Sequence, residues 1–268
     1  MRPSGRQATI PPRPFPPATM RTIDDLVNNV RQPAGEPDCF VRQEGLAAYL
    51  ARADYASSSM LRRTLRAGPA HATRAYEDDG SQRLAQALHA LVLEPARFAR
   101  DYLVLDRARP LGADADAAAE RVWLSGAEHA ALLGAREAIR AYPRAPLAQW
   151  LDTGMKELSI YWTDAIGRRW KARPDCFAAD IVLELKTTGD VRPRAFARTR
   201  RRFAYDLQAA HYVEAVERMT GRAPRFAFVA VELAAPYYVW VHELSRAELA
   251  RAAAELEAAR ARFAAARP

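Results

Sequence analysis

The sequence predicts an α/β sandwich, and three observations carry the prediction. Apolar residues recur at helical spacing in the N-terminal half, most clearly in SQRLAQALHALVL, residues 81–93, where Leu84, Leu88, Leu91 and Val92 share a face. From residue 157 the texture changes to runs rich in β-branched and aromatic residues: ELSIYWT, RRWKARPDCF and IVLELKTT, then RFAFVAVEL and YYVWVHEL. A helical stretch separates the two groups of strands. The order is helices, three strands, helix, two strands, helix.

The elements follow in chain order. The opening stretch, MRPSGRQATIPPRPFPPATMR, is proline-rich and basic with no periodic apolar pattern, and residues 1–40 are expected to form a flexible leader. Residues 41–268 are expected to form one domain ending in a helix. From DDLVNNV through EGLAAYLARADYA the pattern is locally helical, and in SSSMLRRTL the serines 57–59 read as caps of a short helix. EHAALLGAREAIRAY predicts another helix. DAIG and AAD are turn-like, so the three runs they separate predict a three-stranded meander. A helix from about residue 203 to Thr220 carries Tyr205, Ala209, Tyr212, Val213 and Val216 and stops at Gly221. The last helix is charged and alanine-rich.

Composition narrows the function. The chain has 268 residues and a formal net charge of +8, which favours a polyanionic partner, because clustered cations gain affinity by releasing counterions from phosphates. Charge alone would also suit an RNA-binding or membrane-surface protein. Two cysteines, Cys39 and Cys176, are too few for a disulfide framework or a four-thiolate cluster, and a reducing compartment is the natural reading. No apolar run reaches the roughly 20 residues of a membrane span, so no membrane association is expected.

The lysines are the sharpest signal. Against 37 arginines the chain has three lysines, and one of them, Lys186, stands in an apolar strand two residues from Glu184. Side chains alternate along a strand, so the two share a face. If AAD is a hairpin turn, Asp175 falls almost opposite Glu184 on the neighbouring strand. Two carboxylates that close repel unless something neutralises them, and a divalent cation with a preference for oxygen does so. A plain alternative is an exposed ion pair worth at most about 1 kcal/mol. Arginine keeps its proton and presents a flat fork, whereas lysine is a compact charge with a movable pKa, which suits chemistry on a water molecule.

The spacing of Asp175, Glu184 and Lys186, with Pro174 before the aspartate, resembles the signature of the PD-(D/E)XK nuclease superfamily. Gln208 and Tyr212, one helical turn apart in RRFAYDLQAAHY, resemble the QxxxY motif of its RecB-like branch. His89 in LHALVLEP resembles the histidine that this branch contributes to the metal. More narrowly, the chain resembles the RecE-like exodeoxyribonuclease VIII group over roughly residues 45–240, in SSSMLRRTLRAGPAH, RLAQALHALVLEP, GMKELSIYWTDAIGRRWKARPDCF and IVLELKTTGDVRPRAFARTRRRFAYDLQAAHY. Glu157 falls where that group has an acidic residue lining the site. Glu184 departs from it, since members often carry aspartate there.

The resemblance implies a restriction-endonuclease-like core, a mixed central sheet flanked by helices. It implies Mg²⁺, with Mn²⁺ able to substitute, held by His89, Asp175 and Glu184, with Glu157 as a further ligand. Gln208 and Tyr212 would brace the site or touch the DNA backbone. Arg192, Arg194, Arg198, Arg200, Arg201 and Arg202 read as a phosphate track, the alternative being a solvated face. The implied activity is 5′-to-3′ exonuclease action on linear double-stranded DNA in phage-type recombination, in a bacterial cytoplasm and from a host or phage gene. A homo-oligomer and a single-strand annealing recombinase are the implied partners. The alternatives are a structure-specific or single-strand nuclease on the same core, and a DNA-binding module without turnover.

Overall fold

A computed structural model of the protein describes residues 39–68, 71–72, 81–105 and 121–265. The expected leader, apart from its last two positions, and the helical DDLVNNV segment lie outside the described residues. The described residues contain helices α1 (Leu46–Ala51), α2 (Ser58–Ala67), α3 (Ser81–Leu93), α4 (Pro95–Asp101), α5 (Gly126–Arg140), α6 (Leu147–Thr153), α7 (Pro193–Phe203), α8 (Tyr205–Thr220) and α9 (Arg246–Ala265). The strands are β1 (Cys39–Arg42), β2 (Ala56–Ser57), β3 (Tyr102–Leu105), β4 (Val122–Ser125), β5 (Met155–Lys156), β6 (Ser159–Thr163), β7 (Arg169–Ala172), β8 (Cys176–Ala178), β9 (Ile181–Thr187), β10 (Arg225–Val231) and β11 (Val239–Glu243).

A mixed five-stranded sheet in the order β11-β10-β9-β8-β5 organises the molecule. Strands β9 and β10 run parallel, as strands joined through helices do, and the other pairs are antiparallel. One face of the sheet, with Leu183, Leu185, Ala227 and Val229, packs with Leu88 and Leu91 of α3 and with residues of α5 and α6. Each such leucine contributes about 1.5–3 kcal/mol on burial. The other face, with Val182, Phe226 and Phe228, packs with α8, α9 and a four-stranded sheet in the order β1-β6-β7-β2. This is the expected α/β architecture. No described helix is long and apolar enough to cross a membrane.

Three local expectations are corrected. The meander is not one sheet: β6 pairs with β7 in the four-stranded sheet, whereas β8 pairs with β9 in the five-stranded one. The chain changes sheets between Ala172 and Cys176, where Pro174 has no amide hydrogen to give a ladder. The helix expected from about residue 203 is the second of two, since α7 starts ten residues earlier at Pro193, a residue suited to a first helical turn. Residues 39–42, at the edge of the expected leader, form β1 on β6. Ser57 does occupy the N-cap of α2, but its side chain makes no capping bond. Capping boxes stand instead at α5 and α9, where Ser125 and Glu128, and Ser245 and Glu248, each accept from the other's backbone amide.

Both turn-like segments are turns. Asp164 accepts from the amides of Ile166 (3.0 Å) and Arg168 (2.9 Å) and from the Trp170 indole (2.9 Å), which closes the β6–β7 hairpin. Ala179, with φ 53°, turns β8 into β9.

Candidate active site

The β8–β9 register pairs Cys176 with Leu183, Phe177 with Val182 and Ala178 with Ile181, so by extension Asp175 faces Glu184. Regular pairing stops at Cys176. Beyond it, the backbone of Leu185 on that edge of β9 has no strand to bond, and side chains take the strand's place. Its amide donates to Asp175 Oδ2 at 2.7 Å, and its carbonyl accepts from His89 Nε2 at 3.0 Å. The end of one short strand therefore sets both residues.

Strand β5 brings Glu157 from the other side of β8. Gly154, just ahead of it, lies against the Cys176 sulfur and the Trp150 carbonyl, which a Cβ would strike. Glu157 has φ 52°, a costly conformation for glutamate, and its amide donates to the Asp175 carbonyl at 3.1 Å. Arg173 then holds its carboxylate, with Nε 2.6 Å from Glu157 Oε2, while also donating to Ser159 Oγ and the Glu44 carbonyl, each at 2.9 Å.

Helix α8 closes the opposite side. Gln208 Nε2 donates to Glu184 Oε1 at 2.7 Å and to the Tyr212 hydroxyl at 3.1 Å, so the two residues at i and i+4 work as one brace. Both are buried. Lys186 Nζ lies 2.6 Å from Glu184 Oε1.

His89, Glu157 and Asp175 each offer a ligand atom within 4.8 Å of the others. The expected set was His89, Asp175 and Glu184 with Glu157 as a further ligand; the three atoms closest together belong to His89, Asp175 and Glu157, while Glu184 Oε1 is engaged by Lys186 and Gln208. Its other oxygen, Oε2, is shut from solvent without a partner. A buried carboxylate oxygen in that state is costly unless something positive meets it. His89 adds a second sign. With Nε2–H committed to the Leu185 carbonyl, Nδ1 is left as a lone pair 3.4 Å from Asp175 Oδ2, so two acceptors face each other unless a proton or a cation joins them. Three carboxylates and one imidazole suit a divalent ion that prefers oxygen ligands. The cluster fits such a metal.

Burial and the crowding of carboxylates set the protonation equilibria. Burial, and then the Asp175 charge, push Glu157 up to about 7, against the lowering effect of Arg173. Burial and Asp175 likewise raise Glu184. Burial acts to raise Asp175 too, but His89 and Lys186 outweigh it and hold the carboxyl below its usual range. Burial would lower both His89 and Lys186, yet the neighbouring carboxylates prevail and raise each. Lys186 is thus held as an ammonium.

The arginine run divides in two. It lies on α7, with Arg194, Arg198, Arg201 and Arg202 exposed and Phe196 and Arg200 buried. Arg200 is corrected from the phosphate track: it donates to Asp206 at 2.7 Å and to Glu248 at 3.2 Å, tying α7 to α8 and α9. Arg192 is exposed but paired with Asp190 at 2.6 Å. Of the other two lysines, Lys171 caps α1 by donating to the carbonyls of Tyr49 and Arg52, both at 2.7 Å. Cys176 is buried, and burial pushes its thiol up to about 12, as expected of an inert apolar residue.

Sequence reasoning missed Arg173 and Arg62. Arg173 stands directly before the Pro-Asp pair, which was the available signal. Arg62, whose NH1 lies 3.4 Å from Gln208 Oε1, had none, since only folding brings α2 against α8.

Comparison with solved structures finds a candidate exonuclease from Eubacterium rectale, with a TM-score of 0.58, 16% sequence identity, and coverage of 84% of this chain and 86% of that one. At that identity the likeness is one of fold. No curated protein matches the sequence. Among protein families, the one described as a PDDEXK-like domain of unknown function (DUF3799) matches residues 57–267, a span that holds the whole cluster from His89 to Tyr212, and the chain belongs to that family.

Proposed function

We propose that the protein is a metal-dependent deoxyribonuclease, a 5′-to-3′ exonuclease on linear double-stranded DNA of the RecE-like kind, serving phage-type recombination in a bacterial cytoplasm. The observation that carries the reading is the unpartnered, buried Glu184 Oε2 in the cluster that Lys186, Asp175 and His89 form. Membership of a PDDEXK-like family supports a nuclease. Residues 41–268 would form the nuclease domain.

Asp175, Glu184, His89 and Glu157 would hold one or two Mg²⁺ ions, with Mn²⁺ able to substitute. A divalent cation bound there lowers the pKa of the attacking water and offsets charge on the scissile phosphate. Lys186, kept as an ammonium by two carboxylates, donates to the water or to a phosphate oxygen and so orients the attack. Gln208 fixes Glu184 Oε1, and Tyr212 fixes Gln208. Arg173 keeps Glu157 turned toward Asp175. The exposed arginines of α7, Arg194, Arg198, Arg201 and Arg202, would follow the phosphate backbone, with Arg192 at its edge. Such contacts carry no sequence information, so a free end rather than a base sequence would define the substrate.

The test is digestion of end-labelled linear duplex with Mg²⁺ and with EDTA, beside covalently closed circular duplex of the same sequence. Metal-dependent loss of the linear form alone is expected. Equal cutting of the closed circle would replace the exonuclease with an endonuclease; binding without cutting of either form would leave a DNA-binding module. A homo-oligomer and a single-strand annealing recombinase are the partners this reading implies.

A further inference from the structure

Between the buried cluster and the exposed arginines stand two aromatic rings. Phe203 ends α7, Tyr205 begins α8, and Ala204 between them is left-handed, with φ 49° and ψ 44°. Along a continuous helix, side chains two residues apart do not face each other. The left-handed break, which costs a non-glycine residue roughly 1–2 kcal/mol, swings the rings together. They stack with centroids 5.5 Å apart and planes 22° from parallel, and both remain half-buried.

The pair begins at the edge of the cluster, because Lys186 Nζ lies 4.9 Å from the Tyr205 centroid. Guanidinium groups cover the rings: Arg62 lies 5.5 Å over Tyr205, while Arg66 and Arg202 lie 5.5 and 5.3 Å over Phe203. None of the three forms an ion pair with a carboxylate among the described residues. Arg62 reaches only the neutral Gln208 oxygen, and its Nε is shut from solvent without a partner. Cations gathered beside Lys186 without matching anions among the described residues repel one another, and a phosphate backbone removes that repulsion.

We propose that Phe203 and Tyr205 form a stacking platform for the bases of single-stranded DNA next to the scissile phosphate, with Arg62 and Arg66 holding its backbone. An arriving base takes the ring face from a guanidinium, and the released guanidinium takes a phosphate. The faces of paired bases inside a duplex are already covered by their neighbours, so the strand presented here is unpaired. Stacking on a ring accepts every base, which matches a substrate defined by an end. The proposal rests on the nuclease reading and adds to it that the strand being cut has parted from its complement at the site.

The experiment measures fluorescence anisotropy of a labelled oligothymidylate and of an abasic oligonucleotide of equal length and charge, in EDTA so that neither is cut. The wild type should bind oligothymidylate about 5- to 100-fold more tightly than the abasic strand, the span that one stacked base confers. Phe203→Ala should lose most of that difference without weakening on the abasic strand, and Phe203→Trp should retain it. Equal affinity of the wild type for both strands would overturn the platform. So would an equal loss by Phe203→Ala on both strands. Failure of the wild type to digest DNA with Mg²⁺ or Mn²⁺, with base-dependent binding present, would overturn the nuclease reading and support the platform.

Discussion

Helix α8 carries two buried polar clusters on adjoining faces, and they are built to opposite ends. Around His211 the charges are paired, although the Trp162 indole nitrogen and Arg260 Nε are buried without a hydrogen-bond partner. The imidazole lies between Trp162 and Trp170, centroids 4.9 and 6.1 Å away, and bonds the Lys171 carbonyl at 3.0 Å. Its other nitrogen faces Arg260, which pairs with Glu214 at 2.7 Å and stacks 4.4 Å over Trp170. Burial and then Arg260 hold His211 down to about 4, so it is neutral and content. Around Glu184, three carboxylates crowd one imidazole, one ammonium and the Arg173 guanidinium, yet one carboxylate oxygen has no partner and two carboxyls are raised. A buried cluster whose charges are paired fastens elements together; one that leaves a carboxylate oxygen buried and unmet is a place made for a ligand.

Substitutions that treat the clusters differently sharpen this contrast. The largest effect is expected at Lys186. Lys186→Ala should lower cleavage by roughly 10²–10³-fold, the usual worth of a donor aimed at charge that develops in the transition state, while DNA affinity stays within a few-fold. Near-normal turnover would remove lysine from the chemistry.

The His211 cluster should answer to pH instead. Its folded pKa lies below the unfolded value of about 6.5, so the unfolded chain binds the extra proton first and stability falls as pH drops from about 6.5 to about 4. The full term is about 3 kcal/mol, at 1.36 kcal/mol per pKa unit. His211→Gln keeps a donor for the Lys171 carbonyl but cannot titrate. Urea unfolding at several pH values should show the wild type losing more stability than the variant across that window, and parallel profiles would contradict the account.

Asp175→Asn tests whether the first cluster awaits a cation. A neutral amide is a poor partner for a hard dication, and the loss should exceed the roughly tenfold that follows removal of an outer-shell partner. Calorimetry with Mn²⁺ reads it directly, and unchanged affinity would exclude Asp175 as a ligand. The smallest effect separates the arginines of α7. Arg194→Ala should reduce the salt dependence of DNA binding by about one unit of slope, whereas Arg200→Ala should leave the slope alone and cost about 1–3 kcal/mol of stability by freeing Asp206 and Glu248.

The sequence by itself determined the α/β class, the β9 strand, the Asp175–Glu184 register and the i, i+4 relation of Gln208 and Tyr212. Each of these depends on local periodicity or on a turn a few residues long, which neighbouring residues settle among themselves. Tertiary structure alone decided that the run at 169–178 splits between two sheets, because Pro174 only permits a break and the packing of Trp162, Trp170 and α8 gives each half its partner. It also decided which arginine is buried, since Arg200 differs from Arg198 and Arg201 only by facing Asp206 and Glu248. The same holds for Glu157, Arg173 and Arg62. Their positions come from contacts between segments far apart in the chain, and a side chain's place in such a contact is chosen by the whole core rather than by its sequence neighbours.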